Sequence, residues 1–331
     1  MGRDATIYIP DKYSKKEITD FLISLGYEKE DNNTYVFFDD KTNTTLSGVA
    51  VMISKFKDEY YEDKIFKKSN INYSYSLWVR TTAMGNSYDI EMQNNTLKEC
   101  RKRFKTFFIS DRGKNRYYEI SEEDYTAGLQ NAIDLIENTV NGYLIILKNS
   151  INKSNTIKYI KYEKTMYGMD AHNRYLNLVY LCSIIEYCYK TIYAFIFKFS
   201  NEKTKNSIIR NNNKLYSEEV LNISSGKLTL EEVVVKNKSF QNIEKICLYF
   251  KDDLKLDIMS VLKKPYLNNV SVYDKLEELL KMRNEFVHNL YFDFSYSKKK
   301  FDNDIDFVRE GFKRTFKFLD EQYNFNRMFS T

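Results

Sequence analysis

A permanent cation and a proton-transfer group stand close together in the segment KMRNEFVHN, residues 281–289. Arg283 is followed at once by Asn284, and His288 comes five residues after the arginine. Arginine keeps its charge at every physiological pH, whereas histidine gains and loses a proton near neutral pH. The segment therefore combines a fixed positive charge with a residue type that performs general acid–base chemistry.

The arginine occupies a position where a helix would normally place a leucine. A helix over 271–290 gathers its apolar residues into one stripe, and Arg283 falls near the centre of that stripe. The other members of the stripe are Leu276, Leu279, Leu280, Phe286, Val287 and Leu290. Asn284 and His288, four residues apart, share a direction at its edge. Because burying an unpaired charge costs several kcal/mol, Arg283 needs an acidic partner.

Glu186 is the best candidate for that partner. It is the only acidic residue between Asp170 and Glu202, and it lies in the most apolar stretch of the chain, residues 175–199. Two isolated opposite charges in two apolar helices predict an Arg283–Glu186 contact, with a bidentate geometry that fixes the guanidinium. A purely structural interpretation stays open, in which the pair only orders the bundle and His288 is a surface residue without a role.

The elements that position these residues predict a mainly α protein with two domains. The chain has only two prolines and ten glycines in 331 residues, which leaves room for long helices. We expect a small α+β domain over 1–120 in the order β-α-β-β-β-α, and a connecting helix and linker over 121–170. A helical bundle then covers 171–331, with helices at 173–199, 240–262, 271–290 and 304–324 and a surface insertion at 200–238.

Composition and sequence patterns bear on nucleic-acid binding, metal sites, membrane spans and localisation. The formal net charge of +5 is spread over residues of both signs, so it does not by itself indicate nucleic-acid binding. The four cysteines lack C-x-x-C spacing and suit free buried thiols. Because the chain has only two histidines as further ligands, we predict no metal site, and we predict no cofactor. The stretch 175–199 carries Asn177, Glu186 and Lys190, which favours a core helix over a membrane span. Without a recognisable signal peptide, we expect a cytoplasmic protein with no membrane attachment.

The segment RNEFVH resembles the R-[N/D/H]-x-x-x-H signature of the HEPN superfamily. These helical-bundle domains occur in prokaryotic toxins, abortive-infection proteins, CRISPR-associated ribonucleases and related host-defence ribonucleases. The resemblance covers residues 171–330, about half of the chain, and implies an HEPN-like bundle. Residues 1–120 resemble no family that we recognise and are expected to form a sensor or regulatory domain.

The resemblance implies a reaction and a set of catalytic residues. It assigns Arg283 and His288 as the catalytic pair, Asn284 as their polar support and Glu186 as the accompanying acid. The implied activity is metal-independent endoribonuclease cleavage that leaves a 2',3'-cyclic phosphate and a 5'-hydroxyl. Members of the superfamily usually dimerise, so we expect a homodimer with a composite site and RNA as its substrate. An antitoxin or a phage-derived trigger is a further expected partner.

Two sets of basic residues are candidates for RNA binding. Lys298, Lys299 and Lys300 follow the motif closely. A second set lies on the predicted helix 88–107 with spacing i, i+3, i+4 and i+7, and consists of Lys98, Arg101, Lys102 and Lys105. The other histidine, His172, is a weaker candidate for contact with RNA. The alternative function is a non-catalytic HEPN module that binds RNA, a nucleotide or a partner protein.

Overall fold

A computed structural model describes residues 2–38, 48–56, 71–82, 85–154, 166–211, 216–225, 227–291, 293 and 295–325. The chain divides into two compact units, Met1–Asn131 and Ala132–Thr331. Helices dominate the described residues, as predicted, and one antiparallel sheet lies in the first unit.

The first unit is built on a seven-stranded sheet whose neighbouring strands are all antiparallel. The strands are β1 (Asp4–Pro10), β2 (Glu28–Lys29), β3 (Thr34–Phe37), β4 (Val49–Lys55), β5 (Tyr73–Thr81), β6 (Phe108–Ser110) and β7 (Gly113–Lys114). Their order across the sheet is β2-β3-β4-β5-β1-β6-β7. Alternate residues such as Ile7 and Ile9 are fully buried, because one face of the sheet meets the helices.

Two helices, α1 (Lys15–Ser24) and α2 (Ser87–Phe104), share a core with that face. A reciprocal capping box opens α1, with the Ser14 N–H donating to the Glu17 carboxylate at 2.8 Å. Lys105 adopts a left-handed conformation, so α2 ends before the predicted boundary near 107. The strands β2, β6 and β7 were not predicted, because two or three residues are too few to show a period of two.

The long helix α3 (Glu122–Ser154) spans the boundary between the units. The helices of the second unit are α4 (Met166–Lys198), α5 (Glu202–Asn211), α6 (Ser217–Ser224), α7 (Leu230–Lys236), α8 (Ile243–Leu254), α9 (Met259–Leu262), α10 (Val272–Asn289) and α11 (Lys298–Tyr323). A 3-10 turn, Leu267–Asn269, precedes α10.

Helix α4 packs against α7, α8, α10 and α11. Its residues Leu178, Leu181, Ile185 and Ile192 are all completely buried, which places the most apolar stretch of the sequence in a protein core. No helix in the described part of the chain is long and apolar enough to cross a membrane. All four cysteines are buried free thiols, as predicted.

The segment 200–238 lies largely at the surface, as predicted, but it is mostly helical and its last helix reaches the core. Three helices, α5 to α7, occupy most of its described residues. Val233 and Val235 are 1% and 2% exposed, and α7 packs directly on α4. Lys238 then pairs with Asp253 at 2.7 Å, with both side chains less than a tenth exposed. The many Asn, Lys and Ser residues of the segment obscured the short apolar run that anchors it.

Candidate functional site

The motif lies in the last two turns of α10. The helix begins at a capping Ser271, whose hydroxyl accepts a hydrogen bond from the Asp274 N–H at 3.0 Å. It ends at Leu290, which adopts a left-handed conformation with φ of 51°. Arg283, Asn284 and His288 are therefore carried by a helix whose two ends are both defined.

Arg283 forms the ion pair that the sequence predicted. Its Nη2 donates a hydrogen bond to Glu186 Oε1 on α4. The Arg283 side chain is 10% exposed and the Glu186 side chain is 25% exposed, so the pair lies at the boundary between core and solvent. The structure records one hydrogen bond between the two groups rather than the bidentate arrangement that we expected.

The apolar stripe around Arg283 is shorter than predicted. Leu276, Leu279 and Leu280 are buried, but Val287 is 46% exposed and Leu290 is 73% exposed. The last turn of α10 therefore extends beyond the part of the core that the described residues form. His288 is exposed in this same turn, and Asn284 is half-buried one turn before it.

Over the five residues from Arg283 to His288, a helix rises about 7.5 Å and turns through roughly 140° beyond a full turn. Both residues lie within α10, so this separation applies to the structure. Neither the Asn284 nor the His288 side chain forms a hydrogen bond with another residue in the described part of the chain. A single copy of the motif brings the charged pair together and leaves the histidine on a separate, solvent-facing side.

The buried thiol of Cys182 lies beside Arg283, a neighbour that was not predicted. Cys182 Sγ donates to the Leu279 carbonyl oxygen at 3.5 Å. Burial raises the pKa of Cys182 to about 12, although the nearby Arg283 guanidinium acts in the opposite direction. The thiol is therefore protonated near neutral pH and is not positioned as a nucleophile. Its position four residues before Glu186 on α4 was the only sequence signal for it.

Aromatic rings support the end of the motif helix. The Phe286 ring packs against Tyr175, with ring centroids 5.1 Å apart. His172 approaches the Phe286 ring edge-on, with ring centroids 5.6 Å apart. The Tyr175 hydroxyl accepts a hydrogen bond from the Asp293 N–H at 2.8 Å, which ties down the segment that follows α10. His172 is thus exposed at the same end of α10 as His288.

A second buried charge cluster, also missed, joins α10 to α11. Asp304 is 1% exposed, accepts a hydrogen bond from Tyr296 and lies 2.9 Å from Lys275 Nζ. Burial raises the pKa of Asp304, although Tyr296 and Lys275 act against that change. Asp304 lies within the apolar stripe of α11, as Arg283 lies within that of α10, and this was the available signal in the sequence.

The two sets of basic residues belong to different units of the chain. Lys298, Lys299 and Lys300 form the first turn of α11, which begins earlier than the predicted position 304. Lys299 and Lys300 are exposed, and Lys298 is half-buried. These three lysines and the motif both belong to the second unit.

The other basic set belongs to the first unit. Lys98, Arg101 and Lys102 lie on α2, and Lys105 is the left-handed residue that ends it. Arg101 donates to the Tyr117 hydroxyl at 3.2 Å, and Lys102 lies 3.9 Å from Glu99. Two members of this set are therefore partly engaged by neighbouring side chains.

Comparison with protein-family models, with curated proteins and with solved structures finds no match for this chain. The described residues contain no group of three or more His, Cys, Asp or Glu side chains arranged to hold a metal ion. The resemblance to the HEPN superfamily is carried by the motif residues alone.

Proposed function

We propose that the second unit is a metal-independent endoribonuclease of the HEPN type, acting as a toxin or an anti-phage effector. The observation that carries the proposal is the Arg283–Glu186 pair, whose arginine shares the last two turns of α10 with Asn284 and His288. Glu186 accepts one hydrogen bond from a guanidinium that has five N–H donors, and the proposal assigns remaining donors to phosphate oxygens. The fixed cation then stabilises the charge that develops on the phosphorane.

The proposed reaction needs two proton transfers. The 2'-hydroxyl loses its proton and attacks the adjacent phosphorus, and the bond from phosphorus to the 5'-oxygen breaks. The 5'-oxygen leaves with a proton, so the products are a 2',3'-cyclic phosphate and a 5'-hydroxyl. One histidine serves as either the base or the acid, and His288 faces solvent on the side of α10 away from the buried pair.

A homodimer supplies the second histidine in this proposal. Val287, Leu290 and Tyr291 beside His288 are 46%, 73% and 63% exposed, an apolar surface that a second copy would cover. Two facing motifs would place one His288 on each side of the scissile phosphate. The first unit is proposed as the sensor or regulatory part, responsive to an antitoxin or to a phage-derived trigger. We propose a cytoplasmic site of action, which the four free thiols favour.

The alternative function is a non-catalytic module that binds RNA, a nucleotide or a partner protein. The burial of nine-tenths of the Arg283 side chain favours it, because a guanidinium at that depth has limited access to a phosphate. The alternative predicts RNA binding without cutting.

Induced expression and RNA-end mapping test the proposal. Wild-type protein is expected to slow growth and to generate new 2',3'-cyclic phosphate ends, while His288→Ala and Arg283→Ala variants produced at the same level do neither. Equal toxicity of all three proteins would contradict the catalytic assignment. RNA that stays intact with bound wild-type protein would favour the alternative.

A further inference from the structure

A cavity of about 220 Å³ opens beside the motif, between the start of α8 and α10. Its floor is apolar, since Ile243 and Leu280 are 1% and 2% exposed. Asn284 of the motif lines the cavity. The volume is below the roughly 300–1,000 Å³ of sites for drug-sized ligands, so the cavity suits a single small ring system.

Side-chain amides line the cavity and are available to a ligand. Gln241 and Asn284 make no side-chain hydrogen bond with any residue that the structure describes. The Asn242 side-chain oxygen accepts from the Lys245 N–H at 3.0 Å at the start of α8, which fixes the amide and leaves its NH₂ group for a ligand. Three amides around an apolar floor are suited to the polar edge of a flat heterocycle.

Two opposite charges also line the cavity without pairing. Glu277 and Lys281 are four residues apart on α10, a spacing that commonly gives an ion pair, yet the structure records none between them. The adjacent Glu278, which does not line the cavity, pairs with Lys275 at 3.0 Å. A carboxylate and an ammonium group at one small cavity favour a ligand that has donors on one edge and acceptors on another.

We infer that the cavity binds a guanine base of the RNA substrate, an inference that rests on the proposed ribonuclease function. Guanine has two adjacent donors, N1–H and the exocyclic amine, which a carboxylate such as Glu277 accepts together. Its O6 and N7 accept hydrogen bonds from lysine or amide donors. Adenine lacks the ring N–H, the cytosine amine stands next to an acceptor nitrogen, and the uracil N–H lies between two carbonyl oxygens. Since Asn284 belongs both to the motif and to the lining of the cavity, the bound base is next to the scissile phosphate.

Binding of uncleavable oligonucleotides tests the inference independently of cutting. Fluorescein-labelled pentadeoxynucleotides with a central guanine or adenine among thymines lack the 2'-hydroxyl. We expect the wild-type protein to bind the guanine pentamer about fivefold or more tightly than the adenine pentamer. Glu277→Gln is expected to lose that preference. Glu278→Gln is the matched control and is expected to keep it, because Glu278 does not line the cavity.

The outcomes separate this inference from the proposed function. Equal affinities, no binding of either pentamer, or a guanine preference that survives Glu277→Gln overturns the inference even if the protein cuts RNA. A guanine preference in a protein that leaves RNA intact supports the inference and overturns the ribonuclease proposal. Glu277 is exposed, so its substitution is expected to preserve the fold, and Lys281→Gln provides a second variant with the same expected loss.

Discussion

Arg283 and Glu186 form an ion pair between two helices of the bundle, although 97 residues separate them in the chain. The arginine is the deeper partner, with a side chain 10% exposed against 25% for the glutamate. The pair therefore has an energetic role in holding α10 against α4 as well as the proposed chemical role. These two roles have different consequences when the pair is altered.

Removing only Glu186 is expected to destabilise the protein. Glu186→Gln leaves a charged guanidinium nine-tenths buried without its counter-charge, so we expect a loss of about 2 kcal/mol in the free energy of unfolding. The double variant Glu186→Gln, Arg283→Met is expected to recover most of that loss but not to cut RNA. Urea denaturation and RNA-end mapping check both expectations.

The pair Arg309–Asp306, 3.2 Å apart on α11 with side chains 42% and 36% exposed, is more accessible to solvent and provides the control for this experiment. Arg309→Gln is expected to change the free energy of unfolding by less than about 0.5 kcal/mol, since exposed pairs contribute little. If the double variant cuts RNA as the wild type does, Arg283 has a structural role only.

Substitutions of the two histidines are expected to have different effects on the free energy of unfolding and on the cleavage rate. His288 is exposed, so His288→Ala should change the free energy of unfolding by less than about 0.5 kcal/mol while lowering the cleavage rate by about 100-fold or more. His172→Ala removes an edge-on contact with Phe286, and we expect a loss of about 0.5–1 kcal/mol with cleavage retained. Chemical denaturation and single-turnover cleavage measure the two properties. The opposite pattern would mean that the motif histidine has been assigned the wrong role.

The basic residues at the start of α11 are expected to hold RNA near the motif. Lys299→Gln with Lys300→Gln removes two exposed charges, so the slope of log affinity against log salt for single-stranded RNA should fall by about 1.4. Lys98→Gln with Lys102→Gln makes the same charge change in the first unit. A larger fall in slope for this second variant would move the RNA contact to α2.

The sequence predicted the helices that show a periodic apolar stripe. It also predicted the Arg283–Glu186 contact, because only one acidic residue was a candidate for the partner of Arg283. The helices that carry Glu186 and Arg283 were recognised from their apolar stripes, and the isolation of Glu186 identified the partner of Arg283. The helices follow from the local spacing of apolar residues, and the contact follows from the cost of burying an unpaired charge. Both grounds need only the residue types in the sequence.

The missed features depend on tertiary packing. Asp304, Lys275 and Tyr296 come together only because α11 folds back on α10. The stripe residues Val287 and Leu290 remain exposed because no described element covers the last turn of α10. Periodicity shows which face of a helix is apolar, but it does not show how far the neighbouring element extends along that face.

Helix α7 is the part of the segment 200–238 that reaches the core, and a substitution on it tests this position. Val233 is 1% exposed on α7, so Val233→Ala should cost about 2 kcal/mol in the free energy of unfolding through lost burial and a residual cavity. Val220→Ala makes the same change on α6, where Val220 is 49% exposed, and should cost less than about 0.5 kcal/mol. The shared substitution removes the contribution of helix propensity from the comparison. Equal effects measured by urea denaturation would show that α7 is not part of the core.

Asp124 is expected to make the stability of the first unit depend on pH. It accepts hydrogen bonds from Arg3 Nη2 at 2.9 and 3.0 Å and from the Ser121 N–H at 2.7 Å. Partial burial raises the pKa of Asp124, but the hydrogen bonds from Ser121 and Arg3 outweigh that effect and hold the pKa below its usual value of 3.8.

Because the folded state has the lower pKa, the unfolded chain binds the proton more readily. The stabilisation from Asp124 is therefore complete above the pKa of the unfolded chain and is lost as the pH falls through the lower pKa of the folded state. We expect Asp124→Asn to be less stable than wild type at pH 6, and the difference to shrink towards pH 3. Trp78, the only tryptophan of the chain, lies in the first unit, so its fluorescence during urea unfolding reports on that unit. Glu123→Gln changes the charge of the same helical turn and serves as the control, and a wild-type advantage that grows towards pH 3 would contradict the expected sign.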